Sequence, residues 1–141
     1  MELTAIYHRP ESEYAYLYKD KTMHIRIRTK KDDIENINLH YGDPFIFIED
    51  RYEDSKEMSK VTSDALFDYW QVEISVGYAR LQYLFELKDK QGQSIFYGDN
   101  FAFYSVSFPF SISLIISFKS SGEILSSFAK NDTISRNEFL K

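Results

Sequence analysis

Hydrophobic and polar residues alternate with a period of two along most of this chain. Tyr14, Tyr16 and Tyr18, for example, alternate with Ala15 and Leu17. Because successive side chains of a β-strand point to opposite faces, this alternation predicts strands. Eight segments either alternate or are short apolar runs bounded by turn residues: 5–8, 14–18, 23–29, 37–41, 45–48, 66–74, 81–88 and 94–97.

Turn residues separate these segments. The Gly-Asp-Pro sequence at 42–44 ends one strand, because proline cannot donate to a ladder, and the sequence at 89–92 is a hairpin signal. No helical periodicity appears before residue 120. The pattern therefore predicts an all-β domain, a β-sandwich of about eight strands. The polar, serine-rich segment 124–141 is predicted to be a poorly ordered tail.

Charge argues against a nucleic-acid partner. The formal net charge is −5, and the basic cluster of Arg26, Arg28, Lys30 and Lys31 is followed directly by two aspartates. Neutralising a phosphate backbone requires a larger basic face than this.

The segment 101–118 contains no charged residue, so it is also examined as a membrane span. It contains five serines and Pro109, and its apolar residues partly alternate, which fits two buried strands better than a membrane helix. The N-terminus has neither a basic region nor an apolar stretch typical of a secretory signal. We therefore predict a cytoplasmic protein with no membrane partner.

No set of residues typical of catalysis or tight metal binding is found. The chain has no cysteine, and His8, His24 and His40 lack the spacing of zinc ligands. A charged run contains five carboxylates, which are interpreted as a solvated loop. A weak calcium site in this run is the alternative, and no cofactor is otherwise predicted. The five carboxylates are Glu49, Asp50, Glu53, Asp54 and Glu57.

Aromatic residues are the better functional signal, since they make up 17% of the chain. Aromatic rings can stack on the apolar faces of sugars. The face with Tyr14 and Tyr16 is one candidate platform; alternatively, that face is buried and Ala15 points outward. Farther along, Trp70 shares its phase with apolar residues and is predicted to be in the core. Tyr69 shares the opposite face with polar residues and is predicted to be accessible.

The order of several segments resembles the start of neopullulanases and cyclomaltodextrinases. Six pieces carry this resemblance, in the family's order and spacing, and together they cover roughly residues 1–110. They are AIYHRP at 5–10 with YAY at 14–16, IRIRTKKDDI at 25–34, YGDP at 41–44, SDALFDYW at 63–70, YLFEL at 83–87 and FYG at 96–98.

This resemblance implies an immunoglobulin-like sandwich, the family 34 carbohydrate-binding module, over residues 1–110. In those enzymes the module precedes a glycoside hydrolase family 13 barrel and commonly mediates dimerisation. The loop after the Gly-Asp-Pro turn is similar to one that contributes an aromatic residue to the partner's active site, here Phe45. Residues 111–141 do not resemble the expected linker and barrel, and are interpreted as a divergent last strand and tail. The catalytic acids belong to the barrel, so none is assigned here.

The resemblance implies a non-catalytic module that binds α-glucans, such as cyclodextrin or maltooligosaccharides, or that mediates homodimerisation. The candidate contact residues are Phe45, Tyr69, Tyr14 and Tyr16. The catalytic barrel is the further partner that the resemblance implies. The alternatives are a truncated fragment of the parent hydrolase, without activity of its own, and a degenerate remnant.

Overall fold

A computed structural model describes most of the N-terminal three quarters of the chain and parts of the remainder. The described residues are 1–43, 54–77, 80–98, 103–104, 114–118 and 124–129. They contain a short 3₁₀ turn (Leu3–Ala5) and eleven strands: β1 (Ala15–Lys19), β2 (Thr22–Lys30), β3 (Ile34–Gly42), β4 (Asp54–Glu57), β5 (Ser59–Ser63), β6 (Phe67–Ser75), β7 (Arg80–Asp89), β8 (Ser94–Tyr97), β9 (Phe103–Tyr104), β10 (Leu114–Phe118) and β11 (Ile124–Ala129).

The strands form two sheets in which every pairing is antiparallel. The first sheet has the order β1-β2-β6-β5. The second has the order β11-β10-β7-β3-β4, with β8 also paired to β7 and β9 paired to β8. The prediction of an all-β sandwich is confirmed.

The long β2–β6 pairing supplies the first sheet's contribution to the core. Ile25 lies opposite Val72 and Ile27 lies opposite Trp70, and all four side chains are buried. The indole N–H of Trp70 donates to the Thr29 hydroxyl at 3.0 Å, so its polar atom is satisfied inside the sandwich. The prediction that Trp70 lies in the core is confirmed.

The second sheet faces this layer through alternate residues of β3 and β7. Leu39 lies opposite Phe85 and Ile37 lies opposite Leu87, and all four are fully buried. Apolar residues from the inner faces of both sheets therefore form one core. At the far end of β7, the carboxylate of Asp89 accepts hydrogen bonds from two backbone N–H groups of the turn into β8, and this turn matches the predicted hairpin.

The chain changes sheets at Met58. β4 pairs with β3 in the second sheet, and β5 pairs with β6 in the first. The buried Met58 side chain lies between β4 and β5, and its N–H donates to the carbonyl of Ile37 at 2.8 Å. The charged run was interpreted as a solvated loop. Instead, its described part forms two short strands whose side chains, unlike that of Met58, are exposed.

The first predicted strand, 5–8, is wrong. The segment contains the end of the 3₁₀ turn, and Tyr7 forms an isolated bridge to Arg28. A strand requires pairing over several successive residues, whereas this segment meets β2 at a single register.

The C-terminal part of the chain is described in two segments. Within residues 111–141, both described segments are strands: β10 pairs with β7, and β11 pairs with β10. The predicted strand 45–48 and residues 130–141 lie outside the described residues. Within the described part of the chain, no helix has the length and apolar character needed to cross a bilayer.

Candidate functional site

The first strand of the first sheet turns its tyrosines outward. Ala15 is fully buried opposite Ile25, and Leu17 packs against the core. Tyr14 and Tyr16 are therefore half-buried on the outer surface, and Tyr18 is 58% exposed. Of the two orientations that the alternation allowed, the platform orientation is the one that the fold adopts.

The neighbouring strands extend this surface with cationic, polar and aromatic side chains. In the β2–β6 register Arg26 lies opposite Gln71, and Arg28 lies opposite Tyr69. We call this outer surface of the first sheet the tyrosine face. Its members are Tyr7, Tyr14, Tyr16, Tyr18, His24, Arg26, Arg28, Phe67, Tyr69, Gln71 and Glu73.

Arg28 is held between two rings. Its guanidinium carbon lies 4.1 Å from the ring centre of Phe67 and 5.2 Å from that of Tyr7. Its Nε donates to the carbonyl of Ala5 at 3.3 Å. Stacking and this hydrogen bond fix the plane of the guanidinium group. The ring of Tyr7 in turn meets Tyr14 edge-on, with 5.1 Å between ring centres.

Arg26 is oriented in a similar way. Its Nε donates to the side-chain oxygen of Gln71, and its guanidinium carbon lies 5.7 Å from the ring centre of Tyr16. In the described part of the chain, neither Arg26 nor Arg28 forms an ion pair with a carboxylate. Both groups therefore keep donors that no acidic side chain occupies.

A three-residue hydrogen-bond chain crosses the tyrosine face. His24 Nε2 is 2.8 Å from the carboxylate of Glu73, and its Nδ1 is 2.9 Å from the hydroxyl of Tyr16. Since the ionised carboxylate can only accept, Nε2 carries the proton, and in the neutral ring Nδ1 accepts from Tyr16. The hydrogen bond from His24 lowers the pKa of Glu73. The ring of Tyr18 stacks on the imidazole of His24, with 4.5 Å between ring centres. His24 therefore positions both Tyr16 and Tyr18.

Tyr69 is anchored at the end of β6. Its hydroxyl donates to the carboxylate of Asp64 at 2.8 Å, and the N–H groups of Leu66 and Phe67 donate to the same carboxylate. These hydrogen bonds lower the pKa of Asp64, and the bond to this anion raises the pKa of Tyr69. Tyr69 is half-buried, in agreement with the prediction that its face is accessible.

Two hollows open on either side of Arg26. A shallow groove of about 830 Å³ is lined by Glu11, Ser12, Glu13, Ala15, Tyr16 and Arg26. A smaller cleft of about 300 Å³ is lined by Arg26, Val61, Thr62 and Tyr69. The sizes are those of small-ligand sites.

His8 lies on the inner side of this sheet. It is fully buried between the sheets, where Nδ1 donates to the carbonyl of Arg26 at 2.6 Å and Nε2 accepts from the hydroxyl of Tyr83 at 2.8 Å. Burial lowers its pKa to about 4. His8 is therefore a neutral core residue, and nothing in the local sequence distinguishes it from His24 and His40.

Two sequence predictions cannot be located in the fold. Phe45 lies outside the described residues, as do Glu49, Asp50 and Glu53 of the acidic run. Over the described ranges, no group of three His, Asp or Glu side chains is arranged to hold a metal ion.

The sequence predicted Tyr14, Tyr16 and Tyr69 as candidate contacts, but the arginines were not predicted to share their surface. Arg26 and Arg28 were noted as a basic cluster and set aside with the nucleic-acid hypothesis. Their phase within β2 was the available signal, since residues at a spacing of two share a face.

Known proteins that are similar to this chain agree with the fold described above. The model of a family described as "Alpha amylase, N-terminal ig-like domain" matches residues 1–107. The maltogenic alpha-amylase of Bacillus acidopullulyticus is 44% identical over 93 residues, which are 65% of this chain and 16% of that protein. The cyclomaltodextrinase of Geobacillus thermopakistaniensis (strain MAS1) is 39% identical over 89 residues, 62% of this chain and 15% of that protein. The chain thus spans about a sixth of the length of these relatives.

Solved structures give a consistent result. A cyclomaltodextrinase structure superposes with a TM-score of 0.74 at 32% identity, covering 86% of this chain and 20% of that one. The type III pullulan hydrolase from Thermococcus kodakarensis, at a TM-score of 0.53 and 16% identity, shares the fold. Because the family model matches residues 1–107, which are most of this chain, the chain belongs to the family of N-terminal immunoglobulin-like domains of alpha-amylases.

Proposed function

We propose that this chain is a non-catalytic module of an α-glucan-degrading hydrolase and that its tyrosine face binds α-glucans. The observation that carries the proposal is the outward direction of Tyr16 and Tyr18 on β1, together with Tyr14 just before it. Stacking on sugar rings buries the apolar face of a glucose unit while its hydroxyls remain wet. Arg26 and Gln71, on the adjacent strands, supply hydrogen-bonding groups for those hydroxyls.

The names of the relatives favour this ligand class. Maltogenic alpha-amylase and cyclomaltodextrinase are named for the formation of maltose and for cyclomaltodextrin, both built from α-linked glucose. One further relative is named intracellular maltogenic amylase. We therefore propose cyclodextrin or maltooligosaccharides as ligands, a catalytic barrel as the working partner, and a cytoplasmic location.

Calorimetry with β-cyclodextrin and maltoheptaose tests the proposal on the 141-residue chain. We expect a dissociation constant between about 0.1 and 1 mM, that is, roughly −4 to −5.5 kcal/mol. Tyr16→Ala should weaken binding, whereas Lys88→Ala, which removes an exposed side chain from the second sheet, should not. An absence of saturable binding at millimolar sugar would leave the alternative of a fragment that is inactive by itself.

Homodimerisation is the second candidate function, favoured by an edge of the first sheet that no other described strand covers. β5 is the last strand of that sheet, and Val61 on it is 50% exposed. Leu66, in the adjoining turn, is 67% exposed. An exposed edge strand is able to pair with a second chain. Phe45 is proposed as an aromatic contact to the partner's active site, to be tested by Phe45→Ala in a chain that includes the barrel.

A further inference from the structure

The positive charges of Arg26 and Arg28 on β2 are not needed for binding a neutral glucan. Arg26 and Arg28 are two residues apart on one strand, so their side chains leave the same face about 7 Å apart. The overall charge of the chain is −5, yet no described carboxylate forms an ion pair with either group. A pair of uncompensated cations on an acidic domain indicates a site for an anion.

The two guanidinium groups are also oriented in advance. Arg28 is clamped by Phe67 and Tyr7, and Arg26 is fixed by Gln71 and Tyr16. In each case the described protein hydrogen bond is made by Nε. The terminal NH₂ groups, which form the fork that matches phosphate geometry, are not used by the contacts described above.

The cleft beside Arg26 provides a location for the anion. It is lined by Arg26, Val61, Thr62 and Tyr69 and has no carboxylate in its lining. Arg28 lies opposite the lining residue Tyr69 in the β2–β6 register. Thr62 adds a hydroxyl donor. The lining residue Tyr69 contacts the carboxylate of Asp64, whose oxygens already accept hydrogen bonds from Tyr69 and from two backbone N–H groups.

The other side of Arg26 is less suited to an anion. Glu11 and Glu13 line the groove there, and their charges oppose a phosphate. Neutral sugar is therefore expected over the groove and Tyr16, and the anion over the cleft. Since the two hollows share Arg26, one ligand that has both a sugar and an anionic group could occupy both.

We propose that the cleft binds the phosphate monoester of a phosphorylated α-glucan, with Arg26 and Arg28 as its ligands and the glucan chain on the adjacent tyrosines. This inference rests on the proposed function, because the glucan supplies the part of the ligand that stacks. It differs from that function in naming a charged substituent and the residues that recognise it.

The test compares three probes on the 141-residue chain: maltoheptaose, maltoheptaose with one phosphate monoester, and inorganic phosphate. We expect the phosphorylated sugar to bind about tenfold more tightly than the neutral sugar in low salt, the size of effect that one or two charge-assisted hydrogen bonds give. Added NaCl should reduce this ratio, since the site is only partly buried.

Variants then assign the effect to the arginines. Arg26→Gln and Arg28→Gln should each bring the affinity ratio close to one, whereas Lys88→Gln removes the same charge from the opposite sheet and should leave the ratio unchanged. If an arginine variant fails to fold, the salt dependence of the unsubstituted chain still decides the matter. A ratio near one that salt does not change overturns the inference.

The outcomes separate this inference from the proposed function. Equal binding of neutral and phosphorylated maltoheptaose overturns the phosphate site and leaves glucan binding intact. If neutral maltoheptaose does not bind while the phosphorylated sugar does, the proposed binding of neutral glucans is overturned. Displacement of the phosphorylated sugar by an equal concentration of inorganic phosphate overturns the inference in favour of a general anion site.

Discussion

The imidazole of His8 and the hydroxyl of Tyr83 meet between the two sheets at 2.8 Å, with both residues fully buried. Because His8 Nδ1 donates to the Arg26 carbonyl, Nε2 of the neutral ring accepts from Tyr83. The pair joins the segment before β1 to β7 in the opposite sheet. The buried polar atoms of the two side chains thereby satisfy each other.

Stability should fall as the pH decreases from about 6.5 to about 4. The pKa of His8 is lowered from 6.5 to about 4 by burial, so the unfolded chain takes up this proton first. The free energy of unfolding is unaffected above the unfolded pKa, and the loss reaches roughly 3 kcal/mol at the folded pKa. Urea unfolding at several pH values measures this loss.

His8→Gln is the control for that titration. The variant lacks the imidazole, so the slope of stability against pH should flatten between about 6 and 5, a range above the ordinary pKa values of the carboxylates. An unchanged slope would show that another group titrates there.

Tyr83→Phe should destabilise the fold by about 1 to 2 kcal/mol. The substitution preserves the packing of the ring, but it leaves Nε2 of the buried His8 without its donor. Tyr18→Phe is the matched control, since this hydroxyl is on an exposed side chain and its loss should change stability by less than about 0.5 kcal/mol. Equal effects in the two variants would contradict a specific role for the buried pair.

Asp68→Ala should lower the free energy of unfolding by about 3 kcal/mol. Desolvation raises the pKa of Asp68, but hydrogen bonds from Lys60, Ser63 and the Asp32 N–H outweigh it, and the pKa is lowered overall. Removing this buried acceptor leaves its three donors without a hydrogen-bond partner. Chemical denaturation measures the cost, with the exposed turn residue Asp20 changed to Ala as the control.

Two variants of Tyr16 distinguish the contribution of ring stacking to sugar binding from that of the hydroxyl group. Tyr16→Ala removes the ring and should weaken glucan binding about five- to tenfold, whereas Tyr16→Phe retains the ring and should weaken it less than about threefold. The phenylalanine variant loses the hydrogen bond to His24, so any larger effect would indicate that the hydroxyl matters directly. Calorimetry with β-cyclodextrin distinguishes the two outcomes.

A charge on the β5 edge should prevent self-association. Val61→Lys places an ammonium group on this edge of the first sheet, and natural edge strands are protected from pairing in this way. Light scattering over a wide concentration range should show a dimer for the original chain and a monomer for the variant. Thr4→Lys, at an exposed position in the N-terminal 3₁₀ turn, controls for net charge. A monomer at every concentration of the original chain would exclude this interface.

Much of the fold was predictable because alternation is a local property. Trp70 belongs to a strand whose period of two is strong, and it was assigned to the core, where the fold places it. The segment 5–8 has a similar pattern, yet it forms a single bridge, because a strand also needs a partner along its length. The same limit applies to the acidic run, where β4 and β5 exist because β3 and β6 offer free edges.

The sequence by itself determined which side chains share a face, since strand geometry makes neighbours of residues at a spacing of two. It therefore grouped Tyr14 with Tyr16, and it contained the grouping of Arg26 with Arg28. Only the tertiary structure decided that the tyrosines point outward, because that depends on Ala15 meeting Ile25 in the core. Only the tertiary structure brought the ring of Phe67 against Arg28, since sheet pairing joins strands that are distant along the chain.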